Sequence, residues 1–372
     1  MRILSTGDWH WNCGYDDDIA SSIEQIVTYI KDHPVDLVAI TGDVYDRASE
    51  PGSRNRAAEY IRDLARESGV LIVRGNHDAP GDLEILSKLE VGYRVTVDES
   101  PNVHHYDHVA IQTIPWLTKA KWQSLHPEAS KEEGDKTVSQ MVIEFIKNSV
   151  LLNQDKKLIV IGHMTIAGAQ AQNHQQMGAD GVTLGAYDMD DAGVWAAILG
   201  HIHLRQTFSG ERFFYNGSIA ALDYGEFPEK FFSVLDTNTG NVEWIKLNTV
   251  NRIDINAHWS PAGIGMDLEK VDLDSLEGSR VRVNLRVEGG DNVEAAKKQI
   301  EEFLAGENVL EFKINPQVLP LEAVRAVEIS KSTSMKDKLT TYWEATEPPP
   351  EATQMGMQDK LSELEDAGLC SL

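Results

Sequence analysis

Cysteine is almost absent: Cys13 and Cys370 are the only two in 372 residues, and they lie at opposite ends of the chain. A disulfide framework is thereby excluded, and a reducing cytosol is the expected setting. No run reaches the ~18 consecutive apolar residues that a membrane span requires. The first five residues lead straight into an apolar strand pattern, without the apolar segment of a signal peptide. A cytoplasmic protein with no membrane partner is therefore expected. Basic residues are scarce too, with 34 Lys and Arg against 59 Asp and Glu, for a net charge of −25. Proteins that grip nucleic acid unaided carry a basic face, because phosphate neutralisation supplies most of the non-specific affinity. If the substrate were DNA, a basic partner would have to do part of the holding. Much of the acidic excess falls late, at 267–274 and 344–365, and reads as solvated surface.

What is present is ordinary for a globular protein, with 41% hydrophobic and 25% charged residues. The length suggests two or three domains. Strand-like runs at 2–6, 37–41, 70–74, 109–113, 158–161 and 196–199 alternate with amphipathic stretches such as 19–31 and 54–67. The first of those stretches carries Ile19, Ile23, Ile26 and Ile30 at helical steps. Such alternation predicts an α/β sheet architecture. A strand-rich stretch follows at 206–247, then a break near 248–260. Beyond it, a strand at 279–287, a helix at 292–304 and a strand at 309–314 form a small βαβ unit. Helical patterns at 334–346 and 357–367 flank the breaker Pro348-Pro349-Pro350.

The polar punctuation of the first domain carries the chemistry. Gly7-Asp8-Trp9-His10, Gly42-Asp43, Gly75-Asn76-His77-Asp78, Gly162-His163 and Gly200-His201-Ile202-His203 each follow a strand-like run. Ligands in α/β sheets gather at the carboxyl ends of strands, so these groups can converge on one rim. Glycine there lets the backbone turn sharply and approach an ion or phosphate closely. Asp8 and His10 alternate along an extended chain, so a kink is needed to bring both to one ion. A set of Asp, His and Asn without thiolates suits Mn²⁺, Fe²⁺ or Zn²⁺ and argues against a structural zinc site. Asp8, His10, Asp43, Asn76, His163, His201 and His203 are too many ligands for one such ion. They suit two ions roughly 3.5–4 Å apart that share a carboxylate and activate water for attack on phosphorus. Any one of these pairs alone would be an ordinary loop or helix-cap residue; five in register with five strand ends are not. His33, His104, His105, His108, His126, His174 and His258 lack this placement and are taken as structural. Trp9 and Trp11 read as packing residues, and Cys13 is given no role.

In this order the motifs resemble the calcineurin-like metallophosphoesterase superfamily. The resemblance implies a four-layer α/β/β/α sandwich rather than one open sheet. It implies one ion held by Asp8, His10, Asp43 and His203, and a second held by Asp43, Asn76, His163 and His201. His77 would contact the scissile phosphate, and Asp78 would orient His77. A further block, 198–206 with Phe214-Tyr215-Asn216-Gly217-Ser218, Leu222-Asp223-Tyr224-Gly225-Glu226 and Lys230-Phe231-Phe232, is similar to nuclease subunits of the SbcCD type. Some archaeal relatives carry a histidine three residues after the bridging aspartate, where this chain has Asp46; Gly42-Asp43-Val44-Tyr45-Asp46-Arg47 agrees with the bacterial branch.

That resemblance runs motif by motif over 1–235, by position and size over 255–330, and by position alone beyond. It implies a nuclease domain at 1–250, a small βαβ DNA-capping domain at 251–318, and a helical C-terminal tail at 319–372 that binds the coiled coil of an ATPase. It further implies an exonuclease on duplex ends and an endonuclease on single strands or hairpins, acting in DNA repair or recombination. The cofactor would be two Mn²⁺, with Mg²⁺, Fe²⁺ or Zn²⁺ as alternatives. The partners would be DNA, an SbcC-like ATPase, and a second copy in a homodimer within a heterotetramer, in the cytoplasm of a bacterium or of the host of a bacterial virus. The competing readings are a metallophosphatase or cyclic-nucleotide phosphodiesterase on the same fold, and a non-catalytic scaffold.

Overall fold

A computed structural model of the chain describes residues 1–118, 120, 121, 124, 138–172, 181–224, 226, 229–260, 263–266, 275–288, 292–319, 335–344 and 349–366. His126, His174, Gly225, the acidic run at 267–274, residues 320–334, Pro348 and Cys370 lie outside the described residues. Two compact units form. One comprises Met1–Asp254 with Leu273–Arg282 and Asn308–Glu311; the other comprises Ile255–Asp272, Val283–Glu307 and Phe312–Leu372.

The first unit begins with β1 (Arg2–Thr6), β2 (Leu37–Ile40), β3 (Gly69–Val73), β4 (Val95–Asp98), β5 (Asn102–His105), β6 (Val109–Ile114) and β7 (Lys157–His163). A short pair, β8 (Thr165–Ile166) and β9 (Thr183–Leu184), precedes β10 (Ala196–Gly200), β11 (Gln206–Phe208), β12 (Phe213–Tyr215), β13 (Lys230–Asp236) and β14 (Val242–Leu247). Two six-stranded sheets result, in the orders β14-β13-β1-β2-β3-β4 and β11-β12-β10-β7-β6-β5. Strands β1 to β4 are parallel neighbours in the first sheet, and β6, β7, β10 and β12 are parallel in the second. Parallel strands covered on both faces must be apolar throughout, and Leu37–Ile40 is buried at every position.

Helices cover the outer faces. In α1 (Asp16–Asp32), Ile19, Ile23 and Ile26 are wholly enclosed, each burial worth about 1.5–3 kcal/mol. Asp16, Asp17 and Asp18 occupy its first turn, where the helix dipole favours negative charge. In α2 (Pro51–Glu67), Pro51 opens the first turn and the Ser53 hydroxyl accepts from the Glu50 N–H at 3.2 Å. Ala57, Ile61 and Leu64 of this helix join α1 and the outer face of the first sheet in one core. Met141, Val142 and Ile146 of α3 (Val138–Leu152), with Met189 of α4 (Ala186–Asp191), cover the second sheet. Between the sheets, Ile3, Leu37, Leu71 and Val73 meet Ile111, Ile159, Ile161, Ile198 and Phe214. The architecture is the expected four-layer α/β/β/α sandwich.

The layer between the sheets is largely apolar, and a closed polar triangle crosses it. The Ser5 and Ser233 hydroxyls lie 2.7 Å apart, Asn216 Nδ2 donates to Ser5 Oγ at 2.9 Å, and Ser233 Oγ donates to Asn216 Oδ1 at 2.7 Å. All three residues are buried, and a buried polar group is tolerable only when satisfied in this way.

Largely within the second unit, β15 (Arg252–Ser260), β16 (Gly263–Met266), β17 (Arg280–Glu288) and β18 (Glu311–Leu319) form a sheet in the order β16-β15-β17-β18. The expected break at 248–260 is therefore mostly strand, and the small βαβ unit gains two strands. Asn251, Asp254 and Asn256 disguise β15, in which Ile255 and Ala257 alternate inward. Val283, Leu285 and Val287 are fully buried, as are Ala296, Ile300 and Leu304 at helical steps on α5 (Val293–Gly306). Helices α6 (Met335–Glu344) and α7 (Glu351–Asp366) contact each other at the end of the chain.

Candidate metal centre

Sheet polarity brings the ends of β1, β2, β3, β7 and β10 to one rim. The kink required between Asp8 and His10 is present: φ is +50° at Asp8 and +56° at His10, with +50° at Asp43 and +100° at His201. Left-handed backbone at non-glycine residues costs of order 1–3 kcal/mol each. Packing sustains it here: Asp8 N donates to Gly42 O at 3.0 Å and His10 N to Asp43 O at 2.9 Å. Glycine is required alongside. A Cβ on Gly75 would sit 2.1 Å from Asp43 Oδ1, and one on Gly42 would sit 2.4 Å from His163 Nδ1.

The side chains gather closely. Asp8, His10 and His203 offer ligand atoms within 4.8 Å of one another, as do Asp43, His163 and His201. The Nε2 atoms of His10 and His203 face each other at 3.1 Å. Asn76 Oδ1 lies 2.8 Å from His163 Nε2 and 2.9 Å from His201 Nδ1. Asp43 Oδ2 is 3.2 Å from His163 Nε2 and 3.7 Å from His10 Nε2, so this carboxylate stands between the two groups.

Atoms behind the imidazoles fix their tautomers. His163 Nδ1 lies 2.8 Å from Thr41 O; a carbonyl only accepts, so Nδ1 carries the hydrogen and Nε2 is left to the centre. His10 Nδ1 faces Asp46 Oδ1 at 3.1 Å with the same consequence. His77 is exposed, its Nδ1 donating to Asp46 O at 2.7 Å and its N–H to Asp43 Oδ1 at 2.8 Å.

Asp78 stands elsewhere than expected. Its carboxylate accepts from Tyr45 N at 2.9 Å and Gly75 N at 2.8 Å, so it ties two loops together. The residue facing His77 is Asp46. Asp46 escaped the reading of the sequence because it lacks a preceding glycine, though its place three residues after Asp43 was a signal. Thr41 acts through its backbone, which no sequence pattern displays. Glu226, 3.6 Å from His203 Nδ1, comes from a distant loop. Of the histidines set aside, His104 bonds to Asp98, His33 stacks on Tyr29 and His108 meets Thr237, all away from the rim.

The electrostatics favour a bound cation. Burial alone would lower the His163 pKa, but the adjacent Asp43 carboxylate outweighs it and raises the value to about 9. Burial opposes ionisation of Asp43, yet His163 and His10 hold its carboxyl well below the usual range. His10 is likewise raised: burial is outweighed by the hydrogen bond to Asp46 and the charges of Asp43 and Asp8. His201 is pushed down to about 3, by burial and then by the charge of His163. Burial and the Asp43 charge push Asp78 up to about 6. A field that holds protons on buried imidazoles also holds divalent ions, and ions displace those protons on binding. Two imidazole nitrogens facing each other at 3.1 Å need a proton or metal ion shared between them. The donor set of carboxylate, imidazole and amide oxygen fits hard-to-borderline divalent ions.

The model of the calcineurin-like phosphoesterase family matches residues 1–205, more than half the chain and the whole of the rim. The chain belongs to that family. It is thus a phosphoesterase, a hydrolase of a family that works with divalent metal ions. Among curated proteins, this phosphoesterase is 23% identical over 264 residues to the SbcD subunit of the SbcCD nuclease of Bacillus subtilis (strain 168), covering 64% of this chain and 67% of that protein. It is 19% identical over 274 residues to the SbcCD nuclease protein of the same name from Staphylococcus saprophyticus, covering 68% and 71%. The crystal structure of the protein TT1561 of Thermus thermophilus aligns with a TM-score of 0.40 and 14% identity over 66% of this chain and 99% of that one. No described helix is long and apolar enough to cross a membrane.

Proposed function

We propose that this phosphoesterase is a metal-dependent DNA nuclease of the SbcD type, acting on duplex ends and on single strands or hairpins in DNA repair or recombination. The observation that carries the reading is the gathering of seven ligand-type side chains on one rim, joined to relatives named as SbcCD nuclease subunits. Asp8, His10, Asp43 and His203 would hold one ion; Asp43, Asn76, His163 and His201 the other. Two divalent ions held there, Mn²⁺ in this proposal, would supply positive charge and an activated water for phosphodiester hydrolysis. His77 leaves Nε2 for a phosphate oxygen or the departing oxygen, since Nδ1 is committed to Asp46 O. Asp43 ties the two ligand sets and, through the His77 N–H, fixes the backbone from which that imidazole projects.

The remaining roles follow the resemblance to SbcCD nuclease subunits set out from the motifs. The accessory sheet at 251–318 would cap DNA. The C-terminal helices would dock on an SbcC-like coiled-coil ATPase, within a cytoplasmic heterotetramer built on a homodimer of this chain. A groove of about 550 Å³ between α6 and α7, lined by Met335, Leu339, Tyr342, Met357 and Leu361, supports the docking. The test is hydrolysis of an end-labelled DNA hairpin with Mn²⁺ beside an aryl phosphate. Cleavage of the hairpin is expected; robust turnover of the aryl phosphate with DNA left intact would replace the nuclease by a phosphatase.

A further inference from the structure

At the start of β13, outside the segment that matches the family, Lys230 is enclosed to 2% exposure. An ammonium group in such a place is costly unless fully paired. It donates to Glu226 Oε2 at 2.6 Å and to Ser218 Oγ at 2.9 Å. Both acceptors lead back to one residue. The Ser218 N–H donates to His203 O at 3.2 Å, and Glu226 Oε1 lies 3.6 Å from His203 Nδ1. The path Lys230–Ser218–His203–Glu226–Lys230 is therefore a closed ring that grips His203 by its backbone and by its imidazole. The remaining capacity is used locally, with Ser218 Oγ donating to Ala220 O at 2.9 Å and Leu222 N to Glu226 Oε2 at 3.2 Å.

A buried ion pair is weak evidence for stability, because apolar residues of similar volume often do as well or better in such a site. This one stands where a carboxylate fixes the ring of a metal-ligating histidine and makes it a better donor. We propose that Glu226 and Lys230 are positioning residues for His203: Glu226 orients the imidazole, and Lys230 holds both Glu226 and the Ser218 loop against it. The proposal rests on the two-ion reading above. It ties the ion at Asp8, His10 and His203 to a segment beyond the family core, and leaves the ion at Asn76, His163 and His201 untouched.

The test titrates the full chain with Mn²⁺ alone, by calorimetry and by the loss of the free-ion resonance signal, with thermal melting in parallel. His203→Ala identifies the ion that depends on this residue. Lys230→Met is expected to weaken that ion roughly 10–100-fold, the range for loss of a group supporting a ligand, and to leave the other within about twofold. The double variant E226M/K230M leaves no unpaired buried charge, so it separates folding from positioning. It is expected to melt close to the unmodified chain and still bind the His203-dependent ion weakly. Normal affinity for both ions in the double variant, or equal weakening of both, overturns the proposal. If the unmodified chain holds no ion that His203→Ala removes, the two-ion reading fails first and the proposal with it.

Discussion

At the scale of single residues, His77 would carry chemistry and Asp43 metal binding in the proposed two-ion centre. His77 meets Asp43 through its backbone N–H and sets the edge of its exposed ring against His10, with ring centroids 4.8 Å apart. His77→Ala is expected to retain both ions by elemental analysis while turnover falls about 10²–10⁴-fold, the usual worth of a group that moves a proton. An emptied centre in that variant would show the division of roles to be wrong. Asp43→Ala is expected to lose both ions together, because one carboxylate serves both ligand sets. Gly75→Ala is a backbone test of the same centre: its Cβ would fall 2.1 Å from Asp43 Oδ1. Metal affinity should drop at least tenfold without a change in helix content by circular dichroism. The ligand-type side chains that gather on the rim were legible as a group in the sequence because their motifs follow strand ends and glycines. Asp46, Glu226 and Lys230 stood in the quoted motif blocks, but their contacts around the rim histidines were not legible, since nothing in the sequence shows which side chain a polar residue will face. Asp78 shows the reverse, a motif residue committed to the Tyr45 and Gly75 amides.

At the scale of elements, strands carrying buried apolar runs were visible from pattern alone, and the marginal strands β4 and β5 were not. Strand β5, Asn102–His105, is exposed or half-buried at every position, and β4 has only Val95 and Asp98 buried. What holds β4 and β5 together is polar. Asp98 Oδ2 accepts from Thr113 Oγ1 at 2.6 Å and meets His104 Nε2 at 2.6 Å. Burial works to raise the Asp98 pKa, but the bonds to His104 and Thr113 prevail and hold it below its ordinary 3.8. A carboxyl lowered on folding stabilises above its unfolded pKa and loses that contribution as pH falls through its folded one. Asp98→Asn should therefore lower the urea midpoint by an amount that is constant from about pH 5 to 8. The gap should close below about pH 4. A gap that widened in acid would contradict the assignment.

For the whole molecule, the net charge of −25 constrains how a nucleic-acid substrate could be held. Few phosphates can be neutralised by a chain with 59 acids and 34 bases, so counterion release gives little affinity. The isolated chain should bind duplex DNA weakly at physiological salt, and a complex with the proposed ATPase should bind tightly with a steep salt dependence. Gel-shift or anisotropy titrations of both would decide, and tight binding by the chain alone would count against a division of labour. The two-unit organisation was only partly readable, because the accessory sheet starts inside the stretch whose Asn and Asp residues suggested a break.

The Ser5–Asn216–Ser233 triangle has a mechanical consequence. Asp8, His10, Asp43 and Asn76 stand on one sheet and His163, His201 and His203 on the other, so the centre is only as accurate as the alignment of the two layers. Apolar side chains between flat layers resist separation far better than sliding. Three interlocked hydroxyl and amide groups do resist it, because a shift of one residue would strand all of them without partners. The triangle thus works as a dowel through the sandwich, setting the tolerance to which seven candidate ligands from two layers can be assembled.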